Sequence, residues 1–337
     1  MAIPETFKAA LVTKSGAENT ITDRSLPPLE TGEVGIKITA TAINPVDWKL
    51  REISGFLKEF PLIFGTDAAG EIAALGPGVS YFAVGDCVFF QGIIYKNNFS
   101  TFQQYCKMPT HLLARTPSSV TDEQGYGMSA PWDEGGDKAG NGKAVVILGG
   151  SSSVGQYAFQ MAKLSGFEKI VTNSSAEHIE FLKGLGADVV LERGSKDATE
   201  DFVAAIGDLP LAFVYDAISA KATQAQGVKI LQAANAKDSC VVTVLPADSE
   251  AEELGKSHEP KVAVKAIWGA GSDPNLLFLS EPLMKHLGGE EGWIAKGRFV
   301  PNRTVVVPGG LGALEATLAK NKEGISGRKF IIKPSET

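Results

Sequence analysis

The chain has 337 residues, enough for about two domains at roughly 150 residues each. Hydrophobic residues make up 44% of it but form no uninterrupted apolar run of bilayer-spanning length, so no membrane-spanning segment is expected. The net charge of −7, from 32 Lys and Arg against 39 Asp and Glu, argues against a nucleic-acid partner.

The first residues, "MAIPETFKAALVTKSG", lack a basic region followed by a long apolar stretch, so no secretory signal is expected. From Phe7 to Pro117 the text reads as short β segments, "AALVTK", "VGIKITATAI", "AAGEIAALG" and "GDCVFF". Turn-forming stretches such as "LPPLETGE" and "GPGVSYFAVGD" separate them, which predicts an all-β, barrel-like domain. "SAPWDEGGDKAGNGK" reads as a surface linker. From Val145 apolar strands alternate with helical stretches. The strands are predicted at 145–148, 169–173, 189–191, 211–216, 240–245 and 262–269. The stretches "AEHIEFLKGLG", "KDATEDFVAAIG" and "AKATQAQGVKILQAAN" carry helical periodicity between them. Alternation of this length implies a doubly wound parallel sheet. The tail, "RTVVVPGGLGALEATLAKNKEGISGRKFIIKP", returns to strand, helix and strand and is able to rejoin the first domain. Cys87, Cys106 and Cys240 are far apart and form neither a disulfide framework nor a CxxC pair, so buried thiols in a reducing compartment, the cytoplasm, are expected.

At "VVILGGSSSVGQYAFQMAKLSG" a strand becomes a helix through glycines and serines. The apolar positions Val154, Tyr157, Ala158, Met161 and Ala162 form the stripe of a helix lying on a sheet. Gly150 is expected to permit the tight turn and Gly155 the close approach of helix and strand. The unpaired N–H groups of the first helical turn, with the hydroxyls of Ser151, Ser152 and Ser153 beside them, make a cradle for phosphate. Residues 150–155, with Val154 ahead of the last glycine, follow the dinucleotide fingerprint G-x-G-x-x-G with serine at its middle position. The β–α alternations that follow point to dinucleotide binding. The second strand ends in Asn173, Ser174 and Ser175 without a carboxylate to accept from ribose hydroxyls. A carboxylate there would repel a 2′-phosphate, whereas Ser174 and Ser175 can donate to it and His178 and Arg193 can supply positive charge. NADP(H) is the expected cofactor. The same serines would also serve merely to cap the following helix.

With these residues in view the chain resembles the medium-chain dehydrogenase/reductase family. The resemblance rests on "INPVDWKLR", "FGTDAAGEI", "FAVGDCVF", "STFQQYCKMP" and "GGSSSVGQ" in that order. "VPGGL" and "SGRKFIIKP" resemble the zinc-less branch of quinone reductases and enoyl reductases, particularly fungal ones. It implies an α/β protein with a GroES-like β-barrel domain over 1–120 and 300–337. A Rossmann doubly wound parallel-sheet domain is implied over 121–299, with the active site in the cleft between the two. Zinc-dependent relatives carry Cys and His where this chain has Asn44 and Thr66, and neither is a competent ligand for such a site. The three cysteines and the histidines His111, His178, His258 and His286 form no ligand spacing, so no metal is expected.

Without a metal to polarise an alcohol, the resemblance implies hydride delivery to an already electrophilic carbon, in quinones or α,β-unsaturated carbonyls. It places Asn44 and Trp48 in the substrate cleft, with Lys49 and Asp47 as the candidate catalytic residues. Lys49 would hydrogen-bond the substrate carbonyl or the cofactor ribose. Ala217 to Ser219 and Leu245 with Pro246 would end strands that run past the nicotinamide. One departure matters: the family carries a helix-length segment where this chain passes directly from Ser129 to Ala130. Three readings therefore stand: a cytoplasmic NADPH-dependent quinone or enone reductase, a trans-acting enoyl reductase of a polyketide pathway, and an NADPH-binding protein without catalysis. In each the partner is a small molecule, and the chain is expected as monomer or homodimer.

Overall fold

The computed structural model describes residues 3–52, 59–116, 131–132, 134–267 and 269–337. Its contacts separate two units, Met1–Tyr126 with Ala270–Thr337, and Gly127–Gly269. The junction of Ser129 and Ala130 lies outside the described residues.

In the first unit β1 (Phe7–Leu11) pairs antiparallel with β2 (Thr20–Arg24). The long β3 (Glu33–Ala42) then leads into α1 (Pro45–Glu52), followed by β4 (Asp67–Leu75), β5 (Cys87–Gln91), β6 (Tyr105–Pro109) and β7 (Leu113–Arg115). The helix α1 departs from the all-β expectation for this stretch. Pro45 sets φ at its first position, and the Asp47 carboxylate accepts the Asn44 N–H at 2.7 Å, closing the helix start locally. Strand β3 is the hub: β4 and β6 both pair with it antiparallel, and Ala42 stands opposite Asp67.

The second unit contains β8 (Ala144–Leu148), α2 (Ser153–Leu164), β9 (Lys169–Ser174), α3 (Ile179–Leu185), β10 (Val189–Glu192), α4 (Thr199–Ile206), β11 (Leu211–Asp216), α5 (Lys221–Ala233), β12 (Cys240–Thr243), α6 (Ser249–Ser257) and β13 (Ala263–Ala266). Among the described residues its strands form one parallel sheet in the order β10-β9-β8-β11-β12-β13. Alternate residues of β8 serve opposite faces. Val145 and Ile147 pack with Phe159 of α2 and Leu182 of α3, and Val146 and Leu148 pack with Phe202 of α4 and Leu231 of α5. A strand buried on both faces has to be apolar throughout, which is why "AVVIL" carries no alternation.

The chain then returns to the first unit through α7 (Leu277–Leu287), β14 (Thr304–Val307), α8 (Leu314–Glu323) and β15 (Lys329–Ile332). Strand β15 pairs antiparallel with β3, with Ile331 opposite Ala42. The expected boundary at 299/300 moves to 269/270. The Gly271 N–H donates to Gln91 Oε1 at 2.6 Å, Leu277 packs on the first unit's core, and the Gly289 N–H donates to the Arg115 carbonyl at 2.9 Å. Burial of the cysteines holds only for Cys106; Cys240 is partly buried and Cys87 exposed. No helix among the described residues is long and apolar enough to cross a membrane.

Candidate functional site

The residues expected at the cofactor fall at the carboxyl ends of parallel strands in the second unit, on the turns that follow, or in the first turn of the next helix, where open α/β sheets bind ligands. After β8 the left-handed position is Gly149, at φ +79°, and Gly150 has an ordinary φ. The expectation that Gly150 makes the turn is thus corrected: a β-carbon on Gly150 would overlap the Thr172 side chain, so its smallness serves packing on β9. A β-carbon on Gly155 would overlap the Gly149 carbonyl oxygen and stand 2.9 Å from Gly150 Cα, so the helix rests on the turn's own main chain. Ser152 is the N-cap of α2, its Oγ accepting the Gly155 N–H at 3.0 Å. Ser151 is buried, with its carbonyl accepting from Gln156 Nε2. Ser153 and Val154 are only partly buried, and the Val154 N–H finds no acceptor among the described residues. Ser152→Ala should therefore cost about 1 kcal/mol of stability through the lost cap, read as a lower urea midpoint. An unchanged midpoint would refute the capping role.

At the tips of β9 and β10 the two serines part company. The Ser174 hydroxyl is buried and has no partner among the described residues. Ser175 is more open, and its Oγ accepts from the Arg193 guanidinium at 3.3 Å. No side-chain cap comes from Ser175, which removes helix capping as the explanation for it. His178 is buried, with Nε2 3.3 Å from a Glu177 oxygen, so its ring is directed at a carboxylate. Past β11 the fully buried Asp216 accepts the Ile218 and Ser219 N–H groups at 3.0 and 2.8 Å and the Thr223 hydroxyl at 2.7 Å. Ser219, at φ +56°, donates its hydroxyl to the Asp216 carbonyl and accepts the Val244 N–H. Its hydroxyl is committed to the loop, and Ala217 is buried, which leaves Ile218 as the exposed side chain there. Leu245 and Pro246 follow β12, which ends at Thr243; their carbonyls accept from Thr243 Oγ1 and Gln224 Nε2.

In the first unit the candidates gather around Asn44. Its Nδ2 donates to Asp67 Oδ2 at 2.8 Å and to Thr66 Oγ1 at 3.2 Å, and Lys329 Nζ donates to its Oδ1. The strand registers explain this, because β4 and β15 both run antiparallel to β3 and bring Asp67 and Lys329 to the residues just past Ala42. Asp47 is 2% exposed, and its Oδ1 has no partner among the described residues. Burial pushes its carboxyl up to about 7; the Asn44 N–H opposes this, Asp67 adds to it and Lys329 offsets it. Burial also lowers the Lys329 ammonium from the ordinary lysine value, against the pull of Asp67 and Asp47. Asp47 lines a cavity of about 10 Å³ with Thr66, Tyr95 and Ser100, space for a single water. Trp48 does not form a free wall: its indole N–H donates to Asn321 of α8 at 3.0 Å, and the ammonium groups of Lys49 and Lys322 lie 5.5 and 5.4 Å from its ring centre. Lys49 is partly buried beside that ring.

These residues do not suit a zinc ion. The place is filled by an amide, a hydroxyl, the single Asp67 carboxylate and an ammonium group, and a dication would sit against Lys329. No group of three His, Cys, Asp or Glu among the described residues is arranged to hold a metal. A nicotinamide dinucleotide does suit the turn after β8, where the start of α2 presents the Val154 amide, and the glycines let α2, β9 and the loop after β11 pack closely around that turn. Sequence reasoning missed Lys329 and Asp67 around Asn44. It also passed over Asn173, whose side-chain oxygen accepts the Gly149 N–H at 2.9 Å, and Asp197, which accepts from the Asn173 amide. A charged residue opening the apolar strand "KFII" was the one visible signal among them.

The family model "Alcohol dehydrogenase GroES-like domain" matches residues 30–118, and "Zinc-binding dehydrogenase" matches 153–271. Trans-enoyl reductase himH of Aspergillus japonicus is 28% identical, over 90% of this chain and 90% of its own length. An uncharacterized protein of Saccharomyces cerevisiae is 30% identical over 74% of this chain and 75% of its own. The structure of the quinone oxidoreductase from Coxiella burnetii superposes with a TM-score of 0.70 at 21% identity, covering 97% of this chain and 99% of that one, a likeness of fold.

Proposed function

The chain is an oxidoreductase of the medium-chain dehydrogenase/reductase family, and from that premise we propose that it is a zinc-independent, NADPH-dependent reductase of quinones or α,β-unsaturated carbonyls. The observation that supports the cofactor choice is the Arg193 guanidinium on Ser175 Oγ just past β9, where the nearby Asp197 carboxylate is already taken up by Asn173 and Gly194. A hydrogen bond to a charged group is worth roughly 1.5–3 kcal/mol, about ten- to a hundredfold in affinity for the 2′-phosphate. Bound NADPH supplies the hydride. The turn from Gly149 to Val154 holds the pyrophosphate, with Gly155 keeping the helix start close enough for its amides to reach it. Lys49 donates to the substrate carbonyl, so that negative charge developing on that oxygen is met by an ammonium group. The buried Asp47, its carboxyl raised to about 7, exchanges its proton near neutral pH beside Asn44 and Lys329. The Lys329 ammonium in the place of a metal supports the zinc-independent reading.

The himH relative favours a second reading within the same chemistry, a trans-acting enoyl reductase whose enone is carried by a synthase. The test of the first is steady-state oxidation of NADPH by 9,10-phenanthrenequinone and by a simple enone, before and after dialysis against a chelator. Turnover with either acceptor, unchanged by the chelator and without stoichiometric zinc in the purified protein, is expected. Cofactor binding without turnover would leave a binding protein, and activity lost with one zinc per chain would overturn the metal-free assignment.

A further inference from the structure

The turn after β10 carries the Arg193 that would read a 2′-phosphate, and the Arg193 N–H donates to the Ser174 carbonyl at 2.8 Å. The turn runs from Glu192 to Asp197 through Gly194, at φ +84°, and leaves Arg193 exposed. Asp197 ties it down. One carboxylate oxygen accepts the Gly194 N–H at 2.8 Å, the other accepts from Asn173 Nδ2 at 2.9 Å, and its carbonyl accepts from Gln226 Nε2 at 2.6 Å. Asn173 is buried and carries the connection onward: its Oδ1 accepts the Gly149 N–H and its carbonyl the Gly150 N–H at 3.1 Å. An unbroken chain of hydrogen bonds thus joins the glycine turn to the residue next to Arg193.

We propose that Asp197 is a specificity-determining positioning residue: acting through Asn173 and Gly194, it holds Arg193 at a set distance from the pyrophosphate turn. This rests on the NADPH reading above. Both negative groups of NADPH must be met at once, at a spacing fixed by the cofactor's own ribose. Without Asp197 the turn would keep the Arg193 N–H on the Ser174 carbonyl but lose its hold at Gly194, and the guanidinium would spend part of that interaction on ordering the turn. NADH has no 2′-phosphate, so its binding does not register where Arg193 is held. The Asp197 carboxylate would itself repel a phosphate if it were free, but its oxygens already accept from Gly194 and Asn173.

Dissociation constants for NADPH and NADH, measured by intrinsic fluorescence on the full chain, test the proposal in wild type, Arg193→Ala, Asp197→Ala, Asp197→Asn and the Arg193→Ala/Asp197→Ala double variant. Asp197→Ala should reduce the NADPH-over-NADH preference about tenfold. Asp197→Asn keeps an oxygen for one of the two donors and should shift the preference in the same direction by less; it carries the comparison if the alanine variant does not fold. On the Arg193→Ala background the further change should be less than about twofold, because the effect is routed through that side chain. Equal weakening of both cofactors would mean a merely structural role and overturn the proposal, as would an undiminished effect on the Arg193→Ala background. Wild type without NADPH preference would overturn the cofactor reading and this inference together. Wild-type preference that persists unchanged in both Asp197 variants would overturn this inference alone.

Discussion

Gly155→Val should abolish measurable NADPH binding and lower the thermal midpoint in the same variant. The β-carbon alone would overlap the Gly149 carbonyl oxygen, and the branched side chain adds two further carbons against Gly150. Main chain cannot rotate away as a flexible side chain does, so α2 has to retreat from the turn. Overpacking typically costs about 1–3 kcal/mol, and a backbone clash belongs at the upper end. At roughly 2–4 °C per kcal/mol for a protein region of this size, the midpoint should fall by about 6–12 °C. The same retreat pulls the Val154 amide and the Ser152 cap out of register with β8, which is why affinity and stability should fall together. Fluorescence titration with NADPH and a thermal melt on one preparation measure both. Wild-type affinity in Gly155→Val would show that the cofactor is not held at this turn.

Asp47→Asn should remove the part of the pH dependence of stability between about pH 4 and pH 7 that this one acid contributes. An acid raised to about 7 in the folded protein, against about 3.9 in the unfolded chain, keeps a proton in that window which the unfolded chain has released. The stability it contributes is complete below about pH 4 and is lost as pH rises through 7, by up to ~4 kcal/mol. Asparagine keeps an oxygen for the Asn44 N–H, so the helix start survives while the titration disappears. The charged groups facing Asp47, Lys329 and Asp67, remain in the variant. Urea unfolding at pH 4.5 and pH 7 should give a variant that gains on wild type as pH rises. Parallel behaviour of the two proteins would place no titrating proton on Asp47 in this window.

Local pattern by itself determined the change of architecture near Val145, the six strands of the parallel sheet and the helices α2, α3, α4 and α5. A strand buried on both faces and a helix lying on a sheet each leave a periodic signature within a dozen residues. The glycine–serine turn was legible for the same reason, since its demands fall on neighbouring positions. Its inner chemistry was not. Which glycine takes the left-handed conformation, that Ser152 is spent on capping, and that the Ser174 hydroxyl turns inward depend on how β8, β9 and α2 pack. Helix α1 escaped a reading tuned to alternation, and the domain boundary slipped because α7 belongs to a core formed mostly by residues before Arg115. Trp48 meets Asn321 across 273 positions, and Lys329 meets Asn44 across 285. The Lys329 contact follows from the registers of β4 and β15 on β3, and the Trp48 contact from the packing of α1 on α8. Strand register and helix packing are settled by the shape of the whole core, and no stretch of neighbouring residues contains them.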